Sequence, residues 1–168
     1  VRVHDFGIIQ HPVIEHIGAS PDGISEDGIM LEIKCPFKRK INGQVLDQYY
    51  YQVQGQLEVC DLDECDFLEC EFEEYGCLED FLSDQHNIFD KGVIIEYQDD
   101  GPSLHYVYSP IYNRENGVDS SQLDTWIMKN TQELETQGKQ SIKTRFWKLN
   151  LFHIVRIYRD NAFIQDML

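Results

Sequence analysis

The period of the hydrophobic pattern changes between residues 29–36 and residues 46–59, and this change limits the possible folds most strongly. Ile29–Pro36 follows Gly28 and is mostly apolar apart from Glu32 and Lys34, which predicts a strand. Residues 46–59 are longer and predict an amphipathic helix. Its apolar stripe, at spacings of 4, 3 and 4, consists of Leu46, Tyr50, Val53 and Leu57. A strand followed directly by a helix predicts an α/β fold rather than an all-α or all-β fold.

The remaining elements extend this pattern to a mixed central sheet flanked by helices. The predicted further strands are Phe6–Gln10, Ile14–Ala19, Asp66–Tyr75, Val93–Tyr97 and Thr144–Tyr158. A second helix is predicted for Ser120–Gln137, with Asp119 or Ser120 as its N-cap, and a third in the last ten residues. The length of 168 residues predicts a single domain over 1–168, with a core of about 6–97 and a C-terminal extension of about 118–168. Because the first residue is Val, we expect that an N-terminal segment is missing.

Charge is distributed unevenly along this acidic chain, whose net charge is −16. Residues 41–90 contain 14 acidic residues and no Lys or Arg, whereas residues 138–159 contain no acid and six cations. Lys38, Arg39 and Lys40 form a second basic cluster. This distribution predicts two oppositely charged faces, one of which attracts phosphate. Ordinary solvated surface charge is the alternative.

The five cysteines are Cys35, Cys60, Cys65, Cys70 and Cys77. Their number is odd, and no secretory signal is recognisable, so reduced thiols in an intracellular protein are expected. A zinc or iron–sulfur site is disfavoured because the close CxxC pairs typical of such sites do not occur. No apolar run of 18 residues occurs, so we expect no membrane partner.

Residues 18–36, GASPDGISEDGIMLEIKCP, contain the most informative group of polar residues. Asp22 lies in a sharp turn, and Glu32 and Lys34 emerge on one face of the next strand, with Leu31 and Ile33 expected to face the core. If the two strands pair, the carboxylates of Asp22 and Glu32 converge and suit Mg²⁺ or Mn²⁺. A neighbouring lysine then completes a set of groups able to hydrolyse a phosphodiester. Surface charges flanking a turn are the alternative.

Three motifs in this order, SPDG, LEIKCP and YYYQVQGQLEV, resemble the lambda-exonuclease or YqaJ-type viral recombinase family. That family belongs to the PD-(D/E)xK nuclease superfamily, whose motif corresponds here to Pro21-Asp22 and Glu32-Ile33-Lys34. The similarity covers residues 6–75, less than half of the chain. It implies a restriction-endonuclease-like core and a metal-dependent deoxyribonuclease. Such an enzyme digests one strand of linear duplex DNA in the 5′→3′ direction during viral recombination and repair.

The resemblance also implies roles for individual residues. It makes Asp22, Glu32 and the main-chain carbonyl of Ile33 ligands of Mg²⁺, with Mn²⁺ as a substitute. Lys34 is the expected catalytic lysine, and Gln52 corresponds to a family glutamine that reaches the active site. It places the Ser20 hydroxyl near a DNA phosphate, with a turn residue that bonds local backbone as the alternative. Lys38, Arg39 and Lys40 are expected to contact DNA for a separate reason, because these cations directly follow the metal-binding strand.

The expected partners follow from the same resemblance: duplex DNA ends, a single-strand annealing protein, and copies of the chain itself, since the family forms trimers. A viral protein of this kind would act in the host cytoplasm or nucleus. The family's helical segment before the first strand, with an acidic residue near the metals, lies outside this sequence. His11 and His16 are interpreted as polar strand or turn residues. A structure-specific endonuclease and a non-catalytic DNA-binding relative are the alternative functions.

Overall fold

A computed structural model describes residues 1–84 and 89–167 of the chain. The strands, in chain order, are β1 (Val3–His4), β2 (Ile9–Gln10), β3 (Gly18–Ala19), β4 (Gly23–Ser25), β5 (Met30–Lys34), β6 (Glu64–Glu74), β7 (Lys91–Gln98), β8 (Leu104–Tyr108) and β9 (Gln140–Tyr158). The helices are α1 (Asp47–Cys60), α2 (Leu78–Ser83), α3 (Ser120–Thr136) and α4 (Asn161–Met167). The predicted mixed α/β class is confirmed.

The chain divides into two compact units, and β6 and β9 each contribute residues to both. Unit 1 comprises Val1–Glu71 together with Phe152–Leu168, and unit 2 comprises Phe72–Leu151. The single nuclease domain expected from the sequence stays a prediction.

Unit 1 contains a mixed sheet in which β5 lies between an antiparallel and a parallel neighbour. Strands β4 and β5 are antiparallel, with Gly23 opposite Leu31. Strands β5 and β6 are parallel, with Glu32 opposite Phe67, and α1 forms the connection between them. A parallel pair needs such a crossover, which is why the helix follows the strand directly in the sequence. Helix α1 thereby comes to cover one face of β5.

The buried face of β5 is the opposite of the one expected. Met30 is fully buried and Glu32 is 2% exposed, whereas Ile33 is 37% exposed and Leu31 is half-buried. The prediction that Leu31 and Ile33 face the core is therefore wrong. The apolar face of α1 packs against the side of β5 that contains Met30, not against the side that contains Leu31 and Ile33. The resulting core of unit 1 contains Met30, Val53, Leu57, Cys65, Phe67 and Ile157.

Unit 2 places β7 between two antiparallel partners, β8 and β9. Its core consists of Phe81, Val93 and Leu123, which α2, β7 and α3 contribute. The Asp119 side chain accepts hydrogen bonds from the backbone N–H groups of Ser121 and Gln122, which confirms the predicted N-cap of α3. Strand β8 and helix α2 were not predicted; each is short, and periodicity is hard to recognise in five or six residues.

The N-terminal strands are shorter than expected because a turn replaces much of the second one. The His11 ring accepts hydrogen bonds through Nδ1 from the backbone N–H groups of Val13 and Ile14, at 3.1 and 3.0 Å. His11 Nε2 lies 3.3 Å from Glu58 Oε1. Only Gly18–Ala19 remains of the predicted strand 14–19.

The acidic segment and the basic tract are neighbours, so the prediction of two oppositely charged faces is wrong. In unit 1, Arg156 of β9 pairs with Glu64 and Asp66 of β6. In unit 2, Lys143 and Arg145 of β9 both pair with Glu74 of β6. Opposite charges on neighbouring strands attract, and this cross-strand pairing uses much of the basic tract. Among the described residues, no helix is long and apolar enough to cross a membrane.

Candidate active site

Three side chains converge on the buried carboxylate of Glu32. Lys34 Nζ donates to Glu32 Oε1, and Gln52 Nε2 donates to the same oxygen at 2.7 Å. Gln56 Nε2 donates to the other oxygen, Oε2, at 2.9 Å. A carboxylate that is 2% exposed needs such partners, because an unpaired buried charge is strongly destabilising. The predicted residues Glu32, Lys34 and Gln52 thus form one cluster.

Asp22 immediately precedes β4 and lies beside β5. The last pair between these strands is Gly23 with Leu31, so Asp22 and Glu32 each lie one residue beyond it. The Asp22 carboxylate is exposed and accepts a hydrogen bond from the Ile33 N–H at 2.6 Å.

The carbonyl of Ile33 points toward the same edge of β5 as Asp22. In a β-strand, the N–H and C=O of one residue face the same side, and the Ile33 N–H faces Asp22. Pairing between β4 and β5 ends at Gly23 and Leu31, so β4 does not pair with Ile33. This edge therefore presents the Asp22 carboxylate and the Ile33 carbonyl, and the buried Glu32 carboxylate belongs to the preceding residue of β5.

The chemistry of these donors fits a hard divalent cation. Mg²⁺ is commonly held by one or two carboxylates, with water and substrate phosphate as its remaining ligands. Within residues 1–84 and 89–167, no three His, Cys, Asp or Glu side chains form a group that could hold a metal. The groups at this part of β5 that could hold a cation are the Asp22 and Glu32 carboxylates and the Ile33 carbonyl, and water or phosphate would supply its other ligands.

The two glutamines that reach Glu32 lie one turn apart on α1. Residues four apart on a helix share a face, so Gln52 and Gln56 both face β5. Gln52 was predicted and Gln56 was not, although Gln48, Gln52 and Gln56 are spaced four residues apart in the sequence. Gln54 has a different role, because its side chain bonds the backbone of Tyr158 and Asp160.

Two cations, Lys34 and Arg39, lie over the ring of Tyr49. Lys34 Nζ lies 5.3 Å from the centroid of the Tyr49 ring, and the Arg39 guanidinium lies 5.9 Å from it. Arg39 also pairs with Glu69, whose side chain is 2% exposed. The aromatic face holds both cations near the site through cation–π attraction. Arg39 is therefore engaged within the protein.

The other residues expected to contact DNA lie at the surface beside this cluster. Lys38 and Lys40 are exposed in the segment that follows β5. Ser20 is also exposed, and its backbone carbonyl accepts from Gln56 Nε2 at 3.4 Å. The structure thus places Lys38 and Lys40 in solvent, while Arg39 turns inward.

Cys65 is a buried thiol near Glu32. Burial is the main cause that raises the pKa of Cys65 to about 12, and the charge of Glu32 adds to it. Cys65 and Cys70 are both buried in β6, as expected for cysteines that act as small apolar residues. The thiol of Cys65 stays protonated at neutral pH.

Comparison with known proteins supports the interpretation of this part of the chain. Residues 1–63 match the model of the YqaJ-like viral recombinase domain. The matched segment contains Asp22, Glu32, Lys34 and Gln52. The resemblance expected from the sequence is thereby confirmed.

One relative and two solved structures are similar to longer parts of the chain. Uncharacterized protein R354 of Acanthamoeba polyphaga mimivirus is 34% identical over 161 residues, covering 76% of this chain and 29% of that protein. The crystal structure of LHK-Exo in complex with dAMP has a TM-score of 0.46 and 21% identity, covering 99% of this chain and 51% of that one. The alkaline exonuclease LHK-Exo from Laribacter hongkongensis has a TM-score of 0.38 and 22% identity, covering 81% and 58%. The chain therefore spans between about three tenths and three fifths of the length of these proteins.

Proposed function

We propose that this chain carries the active site of a divalent-metal-dependent deoxyribonuclease of the YqaJ type. Its reaction is the 5′→3′ digestion of one strand of linear duplex DNA. The observation that supports this most directly is the buried Glu32 carboxylate, bonded by Lys34, Gln52 and Gln56, with the Asp22 carboxylate bonded to the next residue of β5, Ile33. The match of residues 1–63 to the recombinase domain supports the same proposal.

Each side chain has a part in this reaction. Asp22, Glu32 and the Ile33 carbonyl would hold Mg²⁺, or Mn²⁺ in its place. When bound, the cation would act as a Lewis acid on the phosphate and would make water a better nucleophile at neutral pH. Gln52 orients Glu32 by donating to Oε1. The Lys34 ammonium, 23% exposed, has hydrogens left for a water or phosphate oxygen and stabilises negative charge that develops there.

The exposed cations next to β5 would bind the DNA. Lys38 and Lys40 follow the metal-binding strand by a few residues, so their ammonium groups can reach phosphates near the scissile bond. Ser20 would contribute its hydroxyl to the same backbone. The single strand left by digestion would serve an annealing protein, and a trimer of the chain would enclose the duplex.

The test is a digestion assay with linear duplex labelled separately at its 5′ and 3′ ends. We expect Mg²⁺-dependent release of 5′-terminal mononucleotides first, and Glu32→Gln should abolish it. Glu74→Gln is the matched control, since that carboxylate lies in unit 2 and pairs with Lys143 and Arg145. Phosphorylated and unphosphorylated 5′ ends are compared in parallel.

The other functions give different results in this assay. Internal cleavage products would favour the endonuclease. DNA binding with no product at any Mg²⁺ or Mn²⁺ concentration would contradict the proposal and favour the non-catalytic relative.

A further inference from the structure

Gln56 is a buried amide with one unsatisfied oxygen. The residue is 5% exposed. Its Nε2 donates to Glu32 Oε2 at 2.9 Å and to the Ser20 carbonyl at 3.4 Å, so both amide hydrogens are used. Among the described residues, the buried Oε1 atom has no hydrogen-bond donor. Such an atom destabilises a fold, so its presence calls for an explanation.

The orientation of this amide follows from its neighbours. Turning the group over would place Oε1 against the Glu32 carboxylate and the Ser20 carbonyl, both of which are acceptors. Oxygen would then face oxygen in a buried site, where repulsion is strong. The orientation that leaves Oε1 unpaired is the one in which Nε2 joins these two acceptors.

The two acceptors belong to the two segments that present the carboxylates. Glu32 lies in β5, and Ser20 lies two residues before Asp22. A single NH₂ group thus links the side chain of Glu32 to the backbone that leads into Asp22. It also holds Oε2, whereas Lys34 and Gln52 hold only Oε1.

We infer that Gln56 is a positioning residue that sets the separation of the Asp22 and Glu32 carboxylates for a divalent cation. This inference rests on the proposed function and adds a residue that acts through the ligands. Groups that orient metal ligands typically change metal affinity 10–100-fold when they are removed. Because Oε1 is left unsatisfied, this geometry lowers the stability of the fold.

Gln54 provides a matched control on the same helix. It is fully buried, and it also bonds two groups of the backbone, the Tyr158 carbonyl and the Asp160 N–H. Neither of its bonds involves Glu32 or Ser20. Gln54→Met and Gln56→Met therefore make the same chemical change at two buried sites on α1, and only the second lies at the carboxylates.

The experiment is titration calorimetry of the full chain with Mn²⁺, together with thermal unfolding without metal. We expect Gln56→Met to weaken Mn²⁺ binding 10–100-fold. Its melting temperature without metal should fall, because Glu32 Oε2 and the Ser20 carbonyl lose their donor, and removal of the unpaired Oε1 offsets part of that loss. Gln54→Met should also lower the melting temperature but leave Mn²⁺ affinity unchanged. In the digestion assay, Gln56→Met should need 10–100-fold more metal for half-maximal rate, with kcat largely recovered at saturation.

The outcomes separate this inference from the function on which it rests. Equal Mn²⁺ affinity in wild type and Gln56→Met, or equal weakening in both variants, would overturn the positioning role while leaving the metal site intact. A wild-type chain that binds no Mn²⁺ would overturn the proposed function, and this inference with it.

Discussion

Removal of the Lys34 charge should destabilise unit 1 in the absence of metal. In Lys34→Met the apolar stem is kept, but the carboxylate of Glu32 loses the cation that neutralises it. Breaking a fully buried ion pair by deleting one partner costs about 3–5 kcal/mol. The Lys34 side chain is 23% exposed and that of Glu32 3%, so water screens the pair in part. Since two amides still bond the carboxylate, we expect a loss of about 2 kcal/mol.

Amide hydrogen exchange of α1 is the appropriate assay. The chain's two tryptophans, Trp126 and Trp147, both lie in unit 2, so their fluorescence does not report directly on the site. A loss of about 2 kcal/mol corresponds to roughly 30-fold lower protection of peptides that cover α1. Lys129→Met is the control, because its pair with Glu133 is largely exposed and contributes about 0–1 kcal/mol.

Added Mn²⁺ should reverse the effect. A cation at Glu32 supplies the charge that Lys34 supplied, so Mn²⁺ should raise α1 protection more in Lys34→Met than in wild type. The restored fold should still cleave DNA about 10²–10⁴-fold more slowly, because the ammonium acts on water or phosphate. Equal α1 protection of wild type and variant without metal would refute this reasoning, as would equal gains on adding Mn²⁺.

Three further predictions concern the metal, the DNA and the buried thiol. Asp22→Asn should abolish the rise in melting temperature that Mn²⁺ causes in wild type, as measured by calorimetry; a full rise would exclude this ligand. Neutralising Lys38 and Lys40 should reduce the slope of log K against log salt in DNA titrations by about 1.4–1.8. Neutralising Lys143, which already pairs with Glu74, should change that slope little. Because its pKa is about 12, Cys65 should resist iodoacetamide at pH 8.5 and react only after urea unfolding; rapid labelling of the folded chain would contradict its burial.

That Glu32, Lys34 and Gln52 come together could be predicted because they lie close together in the sequence. Asp22, Glu32 and Lys34 span one turn and one strand, and Gln52 follows on the next helix. The buried face of β5 could not be predicted, since Met30, Leu31 and Ile33 make both faces apolar. Only the packing of α1 decides which face is covered.

The pairing of the acidic and basic segments could not be predicted for a related reason. The acidic and basic segments are clear in the sequence, but Arg156 and Asp66 are 90 residues apart. Nothing local indicates that β9 lies beside β6. Pairing between strands that are far apart in the sequence depends on the tertiary fold. Here it brings opposite charges together in cross-strand ion pairs, where two separate charged faces were expected.

The discontinuity of unit 1 has a consequence for the order of events during synthesis. The four predicted site residues have all been made by position 52, yet the Asp160 N–H that bonds Gln54 lies 106 residues after it. Arg159, the partner of Glu58, is made 101 residues after that glutamate. At about 5–20 residues per second, a ribosome needs roughly 5–20 s to cover this distance. Throughout that interval, the C-terminal half of α1 lacks the contacts of Gln54 and Glu58 with residues 159 and 160. The nascent chain therefore contains the residues of the site before it can form the fold that aligns them.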